Sequence, residues 1–193
     1  GKLLWRHGAK MRPKPARPRT RKQRGAPYHA PTVVICSEQK VVLSADRRSL
    51  VALDLETGKK LWSCPCPPDF HAPADVFLAD GLVWAGLFAN EGRDPRTGQI
   101  KRTLDITGLL TPGHHPRCYR NKATNRYIIA SKRGMEFFDL KSSSHSRNNW
   151  VRGVCQYGVM PCNGLMYILL NPCCFYPGAL LHGFYAPAGH NPA

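Results

Sequence analysis

One short phrase recurs along this chain at a period in the low forties, and this repeat restricts the folds open to it. The fullest copy runs from Ser49 to Trp62, with shorter copies around Gly98 and Gly189. Gly58 lies 40 residues before Gly98, and Gly98 lies 91 residues before Gly189, which is two steps of about 45. A repeat unit of this length with four short strands is typical of a β-propeller blade.

Tight-turn dipeptides show the same period independently. Apolar runs are interrupted at residues 38–39, 80–81, 124–125 and 163–164, in steps of about 42, 44 and 39 residues. Asp-Gly at 80–81 and Asn-Gly at 163–164 are the strongest of these signals, because both central residues of the favoured hairpin turn need a positive φ. We therefore predict an all-β β-propeller with about four four-stranded blades.

The apolar runs between these turns define the predicted strands of the four blades. In chain order they are 33–36, 41–45, 50–55 and 60–62; 75–79, 82–86, a segment near residue 94 and 99–102; 117–120, 126–130, 135–140 and 149–151; 154–161, 165–170 and 179–186. Gly58 and Gly98 are predicted to take a left-handed conformation where the third strand turns into the fourth. Trp5, Trp62 and Trp150 follow at a similar phase, and we predict that they pack between neighbouring blades.

The repeated phrase, Leu-Val-Ala-Leu-Asp-x-x-Thr-Gly-Lys-x-Leu-Trp, resembles the repeat of PQQ-like (quinoprotein-type) β-propellers. Residues 113–124, 149–158 and 172–177 resemble a bacterial group of PQQ-like repeat proteins that are often large and exported. The resemblance covers nearly the whole chain, so we expect residues 1–193 to be a partial PQQ-like β-propeller. It implies a periplasmic, cell-envelope or secreted location. The resemblance is a poor guide to activity, since most proteins with this repeat bind no quinone.

Both ends of the chain fall within the repeated phrase. Residues 1–5 (GKLLW) are a truncated copy of it, and the chain stops soon after Gly189. Similar proteins close rings of seven or eight blades, so we expect a fragment of a larger ring with further blades or domains. The alternative is that the first strand completes the last blade. No stretch is long and apolar enough for a transmembrane helix, so we expect no membrane span.

The net charge of +16 is concentrated near the amino terminus. Residues 1–25 hold ten Lys or Arg and no acidic residue, and the rest of the chain carries a net charge of +6. The basic, proline-rich run 6–31 is predicted to be a solvated loop within the propeller. Nucleic acid or an anionic membrane surface is the less favoured partner, because aromatic residues do not alternate with the charges as stacking on bases requires.

Eight cysteines are many for a chain of this length, and three explanations stay open. Disulfides in an exported protein fit the even count. We expect at least one such bond, drawn from five cysteines of the third and fourth blades: Cys118, Cys155, Cys162, Cys173 and Cys174. Buried thiols acting as small apolar residues are the second explanation. The third is a zinc or copper site formed by His114, His115, Cys118 and a later cysteine.

The densest cluster of reactive side chains lies in residues 114–120, in a predicted loop that leads into the third blade. Polar residues on loops of a rigid scaffold are common ligand contacts. The predicted ligand-binding residues are His114, His115, Arg117, Tyr119 and Arg120. The structural alternative is a hydrogen-bonded plug that holds two blades together.

No catalytic constellation is recognisable, since the chain has no phosphate-binding glycine motif and no nucleophile elbow. Recurring aspartates fall at turns, where carboxylates usually accept hydrogen bonds from backbone amides; they are Asp46, Asp54, Asp80, Asp94 and Asp139. We expect a non-catalytic propeller without a cofactor, an exported scaffold or a domain that binds a protein or small ligand on the propeller face. The alternative is a fragment of a PQQ-dependent dehydrogenase with PQQ and calcium. Adjacent Cys173 and Cys174 favour it, because quinone dehydrogenases of this fold carry a vicinal disulfide beside the cofactor.

Overall fold

The chain folds into successive antiparallel β-sheets. The computed structural model describes residues 32–36, 39–45, 49–66, 75–86, 88–110, 119–142, 144–155, 157–169 and 183–189. Within these ranges the regular structure consists of fourteen strands and one 3-10 turn, Thr107–Leu109. The all-β β-propeller predicted from the repeat is confirmed.

Three of the sheets have four strands, each hydrogen-bonded to the next strand along the chain. The first blade contains β1 (Thr32–Cys36), β2 (Gln39–Ala45), β3 (Ser49–Asp54) and β4 (Lys60–Pro65). The second contains β5 (Asp75–Ala79), β6 (Leu82–Gly86), β7 (Glu91–Arg93) and β8 (Ile100–Thr103). The third contains β9 (Lys122–Ala123), β10 (Tyr127–Ala130), β11 (Met135–Asp139) and β12 (Ser146–Asn148).

The fourth blade is smaller in the described part of the chain. It contains β13 (Met160–Cys162) and β14 (Leu165–Tyr167). Isolated bridges pair Leu165 with Ala188 and Ile168 with Tyr185, so that residues 185–188 run antiparallel beside β14.

Most predicted strands lie within a few residues of the observed ones, and the differences are confined to the third and fourth blades. In the third blade β9 begins at Lys122, so residues 119–120 of the predicted strand 117–120 are not part of it, and residues 117–118 lie outside the described residues. The last strand of this blade ends at Asn148, before the predicted 149–151. The predicted strand 154–161 is wrong over its first half. A bridge between Val154 and Gly158 closes a tight turn there, so the strand begins only at Met160.

The hairpin turns that set the predicted period have the expected backbone conformation. Asp80 and Gly81 have φ of 52° and 71°, and Asn163 and Gly164 have φ of 51° and 75°. Two successive positive φ values define the type I′ turn that matches the twist of paired strands. Gly58 and Gly98 also have the predicted positive φ.

Of the turn aspartates, Asp54, Asp94 and Asp139 accept hydrogen bonds from nearby backbone amides as predicted, whereas Asp80 pairs with the side chains of Arg102 and Lys141 and Asp46 lies outside the described residues. Asp54 Oδ1 accepts hydrogen bonds from the backbone amide and the hydroxyl of Thr57, each at 2.7 Å, and these hydrogen bonds lower the pKa of Asp54. Asp94 Oδ1 accepts the backbone amide of Thr97 at 2.8 Å in the equivalent turn of the second blade. Burial raises the pKa of Asp139, but hydrogen bonds to its carboxylate outweigh burial and bring the pKa to about 2. The donors to Asp139 are the Lys141 amide, the Arg126 guanidinium and the Ser142 hydroxyl.

The core consists of apolar clusters between successive blades. Alternate side chains of one strand face opposite neighbours: on β10, Ile128 and Ala130 pack toward the second blade, while Ile129 joins a cluster with Met166 and Ile168 of the fourth. Successive sheets therefore pack face against face, as the blades of a propeller do.

The predicted role of Trp62 between blades is confirmed. Trp62 projects from β4, is 8% exposed, and donates its indole N–H to the Pro95 carbonyl of the second blade at 2.8 Å. Gly98 of the same turn lies so close that an added Cβ would stand 2.7 Å from the ring. The prediction for Trp150 is wrong, because its side chain is 58% exposed. Trp5 lies outside the described residues.

Candidate functional site

Two of the five predicted ligand-binding residues, Tyr119 and Arg120, lie in the described part of the chain. Tyr119 is buried, and its hydroxyl donates to the Gly134 carbonyl at 2.7 Å. Arg120 Nε donates to Oδ1 of the buried Asp75 at 3.1 Å, which joins the start of the third blade to the second. Both residues thus have structural contacts, as the plug alternative expects, and a ligand-binding role stays a prediction. His114, His115 and Arg117 lie outside the described residues.

The predicted disulfide also stays a prediction. Cys118, Cys173 and Cys174 lie outside the described residues, and with them the cysteine pair of the dehydrogenase alternative. Cys162 is an exposed thiol on the β13–β14 hairpin. Cys64 is a buried thiol, and burial raises its pKa, as expected of a cysteine that acts as a small apolar side chain. No group of three metal-binding side chains occurs among the residues that the structure describes; the predicted metal residues His114, His115 and Cys118 are not among them.

A groove with a volume of about 850 Å³ lies between the third and fourth blades. The third blade contributes Tyr127 and Phe137, whose rings meet edge to face with centroids 5.8 Å apart. The fourth blade contributes Met166 and the hairpin at residues 161–165. We call this surface the blade 3–4 groove.

Trp150 and residues 187–189 both line the blade 3–4 groove. Trp150 occupies the phase of the repeat at which Trp62 packs on the Gly98 turn, but the corresponding turn of the fourth blade differs. Tyr185 stands at the position that Asp94 has in the second blade, so the turn of the fourth blade has no carboxylate there to accept hydrogen bonds from its backbone amides. An added Cβ on Gly189 would meet no atom within 4 Å, whereas Gly98 is in close contact with Trp62. In the groove, therefore, Gly189 does not pack against a tryptophan in the way that Gly98 packs against Trp62.

The rim of the groove carries polar groups around this apolar floor. Its hydroxyl and amide side chains are Thr124, Asn125, Ser144, Ser146, Asn148 and Asn163. The Arg126 guanidinium lies 5.1 Å from the centroid of the Tyr127 ring, and its Nη2 donates to Asp139 at 3.2 Å. Arg126 is thus neutralised within the third blade, and the groove offers apolar contact with neutral hydrogen-bonding groups.

Exposed apolar side chains are also frequent in the sequence of the fourth blade. Nine large apolar side chains are exposed among the described residues, and six of them fall between residues 150 and 185. They are Trp150, Tyr157, Met160, Leu169, Phe184 and Tyr185. Exposed apolar side chains are thus concentrated in one part of the described chain, which favours an interaction site there.

A second, smaller cavity of about 490 Å³ lies between the second and third blades and is lined mainly by charged groups. His145 Nδ1 accepts the Asp139 amide at 2.9 Å. Asp80 of the second blade pairs with Arg102 of the same blade and with Lys141 of the third. Because the Lys141–Asp80 pair joins the two blades, we assign this cavity a structural role in holding them together.

In structure, the chain is similar to the computationally designed Ika4 protein, a β-propeller, with a TM-score of 0.51 and 10% sequence identity. This similarity covers 84% of this chain and 91% of Ika4, and it supports the propeller fold. Lower similarities relate the chain to the designed Ika8 protein (TM-score 0.43, 14% identity) and to BamB from Moraxella catarrhalis (0.42, 17%). Each covers 70% of this chain and 41% of the other. No protein-family model and no curated protein matches the chain.

These similarities concern the fold alone. The PQQ-like family, the larger ring and the division of the chain into a propeller with a basic loop at 6–31 stay predictions. None of the described helical turns is long and apolar enough to cross a membrane.

Sequence reasoning missed the blade 3–4 groove, although two signals for it were present. One was Trp150 at the phase of Trp62. The other was the absence of an aspartate from the fourth copy of the turn, where Tyr185 replaces it. Together they indicate an aromatic side chain without its usual partner.

Proposed function

We propose that this protein is a non-catalytic β-propeller module that binds a protein partner, and that an extended segment of the partner lies in the blade 3–4 groove. The half-exposed Trp150 in an open groove is the observation that carries this proposal. Tryptophan is enriched among residues that dominate binding energy, because it combines a large apolar area with few rotatable bonds.

The surroundings of the groove favour a polypeptide over a small ligand. The fourth blade also exposes Met160 and Phe184 outside the groove, and a polypeptide partner could contact them in addition to the groove. Neutral amides such as Asn125, Asn148 and Asn163 along the rim match the hydrogen-bonding groups of an extended backbone. An apolar centre with a polar rim is the usual anatomy of a protein interface.

We further propose that the protein acts outside the cytoplasm, in the periplasm, at the cell envelope or as a secreted protein. The resemblance to exported PQQ-like repeat proteins and the high cysteine content support this location. Fractionation of the source cells, with detection of the protein by antibody, tests it. Recovery in the cytoplasmic fraction alone would contradict the proposed location.

The partner site can be tested without knowing the natural partner. Random peptides displayed on phage are selected on the wild-type protein, and the affinities of the enriched peptides are measured by calorimetry. We expect Trp150→Ala to weaken their binding by tenfold or more, since truncation of a central tryptophan typically removes ~2 kcal/mol or more.

Leu78→Ala is the matched control. Leu78 is also a large exposed apolar residue, but it lies on β5 of the second blade, outside the groove. It should leave peptide affinity unchanged. Enriched peptides that bind the Trp150 and Leu78 variants equally tightly would show that the groove is not the binding site.

A further inference from the structure

Arg152 is a buried cation in the segment that leads from the third blade into the fourth. The residue is 1% exposed. Its Nη1 donates to the backbone carbonyl of Arg133 at 3.1 Å. Its Nε and Nη2 are fully enclosed, and no described residue accepts a hydrogen bond from either atom.

No acidic side chain of the described residues forms an ion pair with Arg152. Glu136 is the buried acid of the neighbouring turn, and its carboxylate oxygens accept the amides of Lys132 and Arg133 at 2.7 Å and 3.1 Å. The centroid of the Tyr119 ring lies 5.8 Å from the guanidinium carbon. A ring face attracts a cation but offers no acceptor in the plane of the guanidinium.

Other arginines of the described chain that are less buried do have carboxylate partners. Arg102 pairs with Asp80 through Nη1, although its Nε and Nη2 lack acceptors among the described residues as those of Arg152 do, and Arg120 pairs with Asp75 through Nε. A guanidinium stays protonated under all ordinary conditions, so burial cannot neutralise Arg152. Since a buried charge is costly unless it is paired, the most enclosed of these arginines is the one whose charge lacks compensation.

We propose that Arg152 anchors a binding site for an oxyanion, a carboxylate or a phosphate group. Nε and Nη2 form one edge of the planar guanidinium, and two oxygens of such an anion match this edge in a bidentate contact. The Tyr119 ring lies on the face of the guanidinium, so the anion would bind at this enclosed edge, inside the protein. Because Arg152 does not line the blade 3–4 groove, the oxyanion site is independent of the proposed partner site.

The test measures the thermal unfolding midpoint of the full chain in chloride, inorganic phosphate and acetate at equal ionic strength. A ligand that binds only the folded state raises this midpoint in a saturable way. We expect phosphate, acetate or both to raise the midpoint of the wild type above that in chloride. Phosphate alone would identify a phosphate site, and acetate alone would identify a carboxylate site.

Arg152→Met removes the charge and keeps a side chain of similar reach, so it should weaken anion binding by roughly tenfold or more. In chloride alone the variant should be at least as stable as the wild type, because an unpaired buried charge has been removed. The control is Arg96→Met, an exposed arginine in a turn of the second blade, which should retain the wild-type response.

An equal anion response in the wild type and the Arg152→Met variant would overturn the proposal, and so would a wild type without a saturable response. If the Arg152→Met variant does not fold, the arginine Nε signals of the wild type are followed by NMR during phosphate and acetate titrations, with the Arg152 signal assigned from Arg152→Lys. A saturable shift of that signal supports the site. An unchanged signal in both titrations overturns it.

Discussion

Replacing Gly98 by Ala tests whether the contact between Trp62 and the neighbouring turn holds the first two blades together. Gly98 has φ of 73°, and a Cβ there would stand 2.7 Å from Cγ and Cδ2 of Trp62. Gly164→Ala is the matched control, because Gly164 has nearly the same φ, 75°, but an added Cβ meets no atom within 4 Å. The backbone penalty is therefore common to both variants, and only the contact with Trp62 differs.

The magnitude follows from these two terms. A non-glycine residue in the left-handed region costs about 1–2 kcal/mol, and we expect this loss for Gly164→Ala. Carbon atoms in ordinary contact are about 3.5–4.0 Å apart, so the alanine at 98 requires the indole or the turn to move by about 1 Å. The indole is enclosed and bonded to the Pro95 carbonyl, so the overpacking should cost a further ~1–3 kcal/mol.

The assay is urea unfolding at 25 °C, followed by circular dichroism so that no signal depends on the tryptophan itself. We expect Gly98→Ala to lose about 2–5 kcal/mol of unfolding free energy, clearly more than Gly164→Ala. In a Trp62→Leu background the extra loss should shrink, since the atoms that an added Cβ would meet are gone. Equal losses for the two glycine variants would refute the inter-blade contact.

Three further predictions concern turns and thiols. Gly58→Val should destabilise the fold by about 1–3 kcal/mol, because Gly58 has φ of 68°, whereas Gly108→Val at an open position should have little effect in the same urea unfolding assay. The carboxylate of Asp139 contributes stability that is complete above the ordinary pKa near 4 and is lost as pH falls through about 2; Asp139→Asn should therefore destabilise at pH 7 and flatten the acid unfolding profile between these values. Non-reducing peptide mapping of protein from an oxidising compartment should reveal at least one disulfide, and eight free thiols would discard that expectation; the candidate cysteines are Cys118, Cys155, Cys162, Cys173 and Cys174.

The blade boundaries were predictable from the sequence because hairpin turns impose a strict local requirement. Positive φ at two successive residues is nearly restricted to Gly, Asn and Asp, so the pairs at 80–81 and 163–164 mark turns whatever surrounds them. The misplaced strands lie where apolar residues are buried for another reason. Val154 belongs to a tight turn whose glycines pack backbone against backbone, with Gly153 against Gly158. An apolar pattern alone does not distinguish such a turn from a strand.

The candidate site was less predictable because it depends on the absence of a packing contact to Trp150 and not on the presence of a sequence motif. Trp62 and Trp150 occupy the same phase of the repeat, and the sequence treats them alike. Their burial differs because Asp94 anchors the turn beneath Trp62, while Tyr185 replaces that aspartate in the fourth blade. The repeat predicts where the aromatic side chain lies along the blade, but the residues of the opposing blade determine whether this side chain is buried in the core or exposed.

Arg152 shows the same limit for charge. A chain with a net charge of +16 cannot pair every cation with an acidic side chain, so an unpaired arginine is no signal in the sequence. For exposed cations, water and counterions provide the compensation. Burial removes both from Arg152, and the nearby Glu136 uses its oxygens on backbone amides. The position of one guanidinium in the fold therefore turns an ordinary feature of the composition into a specific expectation, an anion bound where the protein supplies none.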